Sequence, residues 1–266
     1  MSTKFLSLLV LVLACPVALA NDPVTAKVLI ITGDHGHRWK ETTPVLKDLL
    51  LKAGHQVEVT EKPRLDLTSD KLAKFEVLLF NYRDTPRGAS ANPDSVWTAE
   101  NKRAFINAIK QGTGLVVYHH ASSAFRGDAE FDREFEKLSA GGWRKQGFHG
   151  KMHEFTLTVR KEHPITEGIR SFRHGRDELY QNSLITPGST VLVTAFSDLS
   201  KDPKNTGLNE PMVWINQYGK GRVVQNALGH DPPAMQSTGF KTLLVRCVEW
   251  AATGKTSFPA PKELSQ

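Results

Sequence analysis

The chain has 266 residues, 39% of them hydrophobic and 23% charged. That is enough for one large domain with a sizeable core and excludes a chain that is disordered throughout. The net charge of +6 is scattered, without the basic face and readout elements of a nucleic-acid binder, leaving only nonspecific attraction for polyanions.

The first twenty residues stand apart. Lys4 carries their only charge, an apolar run follows from Phe5 to Ala14, and Ala18-Leu19-Ala20 precedes Asn21. A positive start, a short apolar stretch and a small-x-small site describe a secretory signal peptide over 1–20, too short to span a bilayer. The expectation is export to a periplasm or the exterior. The alternative is a loose lipoprotein box at Val12-Leu13-Ala14-Cys15, which would anchor the protein to a membrane through Cys15 alone. Cleavage after Ala20 leaves Cys247 as the remaining cysteine, so no internal disulfide forms. Its apolar helical surroundings make it a core thiol.

Lys27 to Thr32 is a continuously apolar run stopped by Gly33, the pattern of a buried parallel strand. Thr43 to Ala53 has helical spacing and ends at Gly54. His55–Thr60 alternates as a strand, and Glu76–Phe80 reads as a second buried one. A loop rich in Pro, Gly, Ala and Ser covers 84–94. Thr98–Gln111 is predicted helical and Gly114–Tyr118 is the next buried strand. Further on, 131–138 and 240–252 read as helices. The segments 154–159, 190–195 and 212–216 read as strands, and Tyr218-Gly-Lys-Gly221 turns into a strand at 222–226. The order gives an α/β domain over 27–254 with a parallel sheet covered on both faces, followed by a loose tail at 255–266.

In such sheets ligands bind beyond the carboxyl ends of the strands. Those ends carry Asp34-His35-Gly36-His37, Asn81-Tyr82, His119-His120 and, after Gly229, His230-Asp231. His149 and His153 lie in Gly147-Phe-His-Gly-Lys-Met-His153. Imidazole is both the usual neutral-pH acid or base and the commonest transition-metal ligand. No HExxH or CxxC spacing is present, and an ordinary hydrogen-bonded loop histidine is the alternative for each. His55, His163 and His174 read as structural or surface residues. Asp177-Glu178-Leu179-Tyr180 places two acids beside a tyrosine, suited to base, ligand or sugar-hydroxyl acceptor. Neighbours in an extended segment point to opposite faces, so one acid of the pair faces a site. Trp39, Tyr82, Trp143 and Tyr180 can stack on a sugar ring or fill the core.

Several segments in order resemble the ThuA-like (trehalose utilisation) family: Val28–Gly33 with His35–Trp39, Val77–Tyr82, Gly114–Ala121, His149-Gly150, Asp177–Tyr180, Pro211–Trp214, Tyr218–Arg222, Leu228–Asp231 and Glu249–Ala252. The resemblance runs from Lys27 to about Gly254. It implies a flavodoxin-like, class I glutamine amidotransferase-like fold, doubly wound and mostly parallel with extra antiparallel strands. Amidotransferases place a cysteine at the turn after the central strand. Here that turn reads Tyr118-His119-His120-Ala121, without the attacking atom that acyl transfer needs.

The resemblance also implies carbohydrate catabolism, including routes through 3-keto sugars. A keto group acidifies the neighbouring C–H, so a base plus an electrophile for the enolate can expel a glycosidic group. The expectation is a metal-assisted hydrolase or lyase acting on a small carbohydrate, a disaccharide, glycoside or 3-keto derivative. His119, His149 and His230 are the expected ligands of a divalent ion, zinc or manganese, or acid/base groups. Asp177 or Glu178 is the expected base, with His120 and Tyr180 also catalytic. His35, His37, Trp39, Asn81, Tyr82 and Asp231 are expected at the substrate. No nucleotide cofactor is expected, and a sugar oxidoreductase is the expected functional partner. The alternatives are a noncatalytic sugar-binding protein on the same crevice and an assembly partner of an exported oxidoreductase.

Overall fold

A computed structural model describes residues 22–33, 37–84 and 93–265. The leader, the Cys15 anchor and His35 lie outside the described residues, and among these no helix is long and apolar enough to cross a membrane.

Nine strands form one sheet: β1 (Lys27–Ile31), β2 (Gln56–Thr60), β3 (Val77–Phe80), β4 (Gly114–Tyr118), β5 (His153–Val159), β6 (Phe172–Asp177), β7 (Thr190–Phe196), β8 (Asn209–Tyr218) and β9 (Gly221–Asn226). Their spatial order is β2-β1-β3-β4-β9-β8-β7-β5-β6. The first five pair in parallel, and β8, β7, β5 and β6 extend the sheet antiparallel. This is the doubly wound, mostly parallel fold with antiparallel additions. β3 and β4 are buried at every position, as strands covered on both faces must be.

Helix α1 (Trp39–Lys52) and the closing helix α4 (Thr238–Thr253) lie on one face, and α2 (Ala99–Gln111) and α3 (Asp132–Leu138) on the other. The start of β4 approaches α4 so closely that a Cβ at Gly114 would stand 2.4 Å from the carbonyl oxygen of Ala251. Only glycine lets the backbones meet there. A capping box starts α2: the Thr98 hydroxyl accepts the Asn101 amide N–H at 3.1 Å while Asn101 Oδ1 accepts that of Thr98 at 2.9 Å.

Three features differ from the sequence reading. Helix α1 begins at Trp39, four residues before the expected Thr43, and takes Pro44 inside it. Pro44 lies early in the helix, where its missing N–H costs one bond near the N-terminus. Strand β6 has no apolar alternation to announce it, because its buried positions are Phe172, His174 and Asp177. The tail is packed rather than loose: the Glu249 carboxylate accepts the backbone N–H groups of Ser257 and Phe258 at 2.9 and 3.0 Å. Arg246 Nε donates to Phe258 O at 2.8 Å, and Leu264 is buried.

Candidate active site

The carboxyl ends of β1, β3, β4 and β9 open on a cavity of about 430 Å³ lined by His37, Arg38, Arg83, His120, Ser123, Arg126, Trp143, His149, Glu178, Tyr180 and His230. Its floor is built around His119. Where β4 ends, His119 takes φ = 45°, the left-handed region that a bulky residue enters only when its surroundings impose it. The sharp turn expected from the resemblance is therefore present, with an imidazole at its apex.

His119 Nδ1 lies 2.8 Å from Ala227 O. A carbonyl only accepts, so Nδ1 carries the proton and Nε2 of the neutral ring presents a lone pair. The Tyr180 hydroxyl, 2.9 Å away, donates to it. His119 Nε2 is also 3.3 Å from Glu178 Oε2 and 3.3 Å from His230 Nδ1.

Glu178 is the hub. His230 Nδ1 stands 3.0 Å from Oε2, and His149 Nε2 stands 3.3 Å from Oε1. Burial alone would push the Glu178 carboxyl up, but the neighbouring His119 and His230 imidazoles hold it far below the ordinary range. The bond to Glu178 raises His230 in turn, against the effect of burial. Tyr180 is raised well above a normal phenol by burial and by the charges of Glu178 and Asp177, so its hydroxyl stays protonated and donating.

Glu178 lines the cavity and Asp177 does not. Asp177 is fully buried. Its Oδ1 accepts the amides of Glu178 and His230 at 2.8 and 3.0 Å, and its Oδ2 accepts that of Gly229 at 2.7 Å and pairs with His174 Nε2 at 2.9 Å. Burial opposes its charge, but these donors outweigh burial and lower its pKa. Asp177 thus acts on the backbone around the site, with all its acceptor capacity committed. His174, fully buried between Asp177 and Ser237, completes that support. Gly229 makes the turn before His230 with φ = 90°, and a Cβ there would meet the Phe240 ring at 2.5 Å.

Nitrogens of His37, His119 and His230 all lie within 4.8 Å of one another, a set able to hold a metal ion. The sequence grouped His149 with His119 and His230. The structure puts His37 in that place and His149 on the outer oxygen of Glu178. His37 also stacks on His120, ring centroids 4.0 Å apart.

Other expected residues lie elsewhere. Tyr82 is buried in the aromatic core against Phe80, Trp97 and Phe125, its hydroxyl donating to Ser95 O at 2.7 Å. Asn81 is buried and donates to Thr43 Oγ1 at 3.0 Å, tying the end of β3 to α1. Trp39 lines a separate hollow with Lys40, Pro44 and Lys47. Asp231 is buried and does not line the cavity; it accepts the Ala234 amide at 3.0 Å and stands 3.8 Å from Arg38 Nη1. The sequence reading did not single out Arg38, Arg83, Arg126 or Ser123 for the site. Arg83 directly follows Asn81-Tyr82 at a strand end, a signal that was available; Arg126 has none.

A family model described as trehalose utilisation (ThuA) matches residues 27–251. A ThuA-like protein from Parabacteroides merdae is 32% identical with a TM-score of 0.75, the match covering 90% of this chain and 94% of that one. A ThuA-like protein from Bacteroides uniformis is 20% identical with a TM-score of 0.67, covering 92% and 99%. A cytoplasmic protein from Salmonella typhimurium, 14% identical over 85% of this chain and 99% of its own, shares the fold at a TM-score of 0.60. No curated protein is matched by the sequence.

Proposed function

The chain belongs to the ThuA (trehalose utilisation) family, and on that premise we propose that it is an exported, metal-assisted enzyme cleaving a glycoside or its 3-keto derivative. The carrying observation is the approach of the His37, His119 and His230 nitrogens to within 4.8 Å of one another beside the Glu178 carboxylate. Three imidazoles and a carboxylate suit a borderline divalent ion such as zinc or manganese. The His119 Nδ1–H bond to Ala227 O is the orienting contact that metal-ligating histidines use. Such an ion supplies Lewis acidity toward a carbonyl oxygen.

The chain's own groups handle the protons. Loss of the C–H proton beside a keto group leaves its electron pair to form a ring double bond as the glycosidic C–O bond breaks, and the departing oxygen collects a proton. His149 lines the cavity with Nδ1 on Gly150 O at 2.8 Å, so in its neutral form Nε2 holds the lone pair that would take the first proton and, once protonated beside Glu178 Oε1, would deliver the second. Tyr180 donates to His119 and forms part of the wall, with Trp143 edge-on to it at 4.5 Å. A keto-sugar substrate requires a preceding dehydrogenation, the role of a sugar oxidoreductase partner. The leader-like 1–20 segment supports export; a mature N-terminus at Asn21, by mass spectrometry, is the expected result.

The test is elemental analysis of purified protein, with turnover of 3-keto-glycosides measured with and without added zinc or manganese. Wild type is expected to hold near-stoichiometric ion and to turn over. His119→Ala/His230→Ala is expected to lose both. Wild-type rates in that variant would overturn the reading, and sugar binding without turnover in any ion would assign a binding protein.

A further inference from the structure

The proposed reading accounts for the histidines and Glu178 but gives no role to the guanidinium groups of the cavity. The described lining carries three, Arg38, Arg83 and Arg126, against one carboxylate, Glu178. Glu178 is committed to His119, His149 and His230. Arg38 is held at the rim by Glu41, its Nε donating to Oε1 at 2.8 Å, with Asp231 also near. Arg83 and Arg126 line the same cavity.

Both guanidinium groups also act on charged or polar neighbours. The positive charge of Arg83 reaches the floor, where it partly offsets the upward shift of the Tyr180 hydroxyl. Arg144, beside the lining residue Trp143, is pushed down to about 10, first by burial and then by the charge of Arg126, against the opposing charge of Asp84. The described lining is thus net positive, three guanidinium groups to one carboxylate, in a concave site where low-dielectric walls concentrate the field. Neutral sugars are recognised by carboxylates, amides and aromatic faces. A guanidinium fork matches two oxygens of an anion.

We propose that the cavity takes a carbohydrate bearing an anionic group, a carboxylate or a phosphate, with Arg83 and Arg126 binding that group while the reacting carbon faces the histidines. This specifies the substrate class of the same site and rests on the carbohydrate reading above for the sugar itself. The anion meets Arg83 and Arg126 rather than Glu178, whose own charge would repel it.

The test is binding to the full-length mature protein by calorimetry, which needs no turnover. The probes are glucose, glucuronate and glucose 6-phosphate, each titrated at two salt concentrations. Acidic sugars are expected to bind at least about tenfold more tightly than glucose, with a preference that weakens at high salt. Arg126→Gln and Arg83→Gln are expected to remove that preference, Arg83→Lys to retain part of it, and Lys255→Gln, an exposed charge on the closing segment, to leave it intact. The stronger of the two acidic probes distinguishes a carboxylate from a phosphate. Equal binding of neutral and acidic sugars, no binding of the acidic probes, or a preference that survives both glutamine variants overturns the proposal. An acidic preference without turnover of any keto-glycoside would retain this inference and remove the metal-assisted reading. Turnover of neutral keto-glycosides without the preference would do the reverse.

Discussion

Asp177 accepts the backbone N–H of His230 at 3.0 Å, so a carboxylate at the end of an edge strand fixes a histidine delivered from the middle of the sheet. Its second oxygen takes Gly229 and His174, and the whole group is buried. Asp177→Asn replaces one acceptor by a donor that faces N–H groups. It is expected to cost about 3 kcal/mol or more in chemical denaturation, and to lower ion occupancy because the His230 loop is released. Wild-type stability in this variant would contradict the arrangement.

Tyr180 and a metal ion bound by His119 would compete for the same lone pair. The hydroxyl donates to His119 Nε2 at 2.9 Å, and an ion on that nitrogen must displace it. A single hydrogen bond is worth about 1 kcal/mol net, so Tyr180→Phe is expected to bind zinc roughly fivefold more tightly in calorimetry. Unchanged or weaker binding would show that the hydroxyl does not oppose the ion.

The identity of the third imidazole is open to a direct comparison. His37→Ala is expected to weaken zinc binding by at least about 100-fold, the upper end of what removing even a partner of a ligand costs, because its nitrogen belongs to the His119–His230 cluster. His149→Ala is expected to retain the ion and lose activity, since His149 meets only the outer oxygen of Glu178. The reverse pattern would restore the grouping expected from sequence.

His55 makes stability depend on pH. It is buried, its Nδ1 accepts the Ala26 N–H at 3.2 Å, and burial lowers its pKa against the weaker pull of Glu249. The folded pKa thus lies below the unfolded value of about 6.5. Above that value both states are neutral and the contribution is fully present. As pH falls below it, the unfolded chain binds the proton first and stability is lost until the folded pKa is passed. Denaturation midpoints of wild type and His55→Leu between pH 7 and 5 are expected to converge as pH falls, by at most about 1.4 kcal/mol per pH unit. A constant gap would remove His55 as the cause.

Truncation after Gly254 is expected to destabilise the domain by several kcal/mol. Glu249, 1% exposed, would lose the Ser257 and Phe258 amides and the Ser257 hydroxyl, leaving a buried carboxylate without these donors. An unchanged melting temperature would return the tail to the loose segment expected from sequence.

Much of the scaffold is legible in the chain because its signals are local. Val28 to Ile31, Val77 to Phe80 and Leu115 to Val117 are uninterrupted apolar runs, which only a strand covered on both faces can use. Gly54 and Gly254 stop helices by backbone freedom alone. The same locality marks the histidines that follow those apolar runs as strand-end residues. It fails at β6, where His174 and Asp177 occupy buried positions, and at Tyr82 and Asn81, strand-end polar groups that turn into the core.

The sequence by itself determined the parallel sheet, its crevice and the chemistry gathered there, since apolar periodicity and residue type are properties of short segments. Tertiary structure alone decided that His37 joins His119 and His230, that Glu178 faces the cavity while Asp177 braces it, and that Arg38, Arg83 and Arg126 line that cavity. Those outcomes depend on contacts between residues as far apart as His119 and His230. They exist only once the antiparallel strands extend the sheet past β9 and bring the end of β6 back over β4.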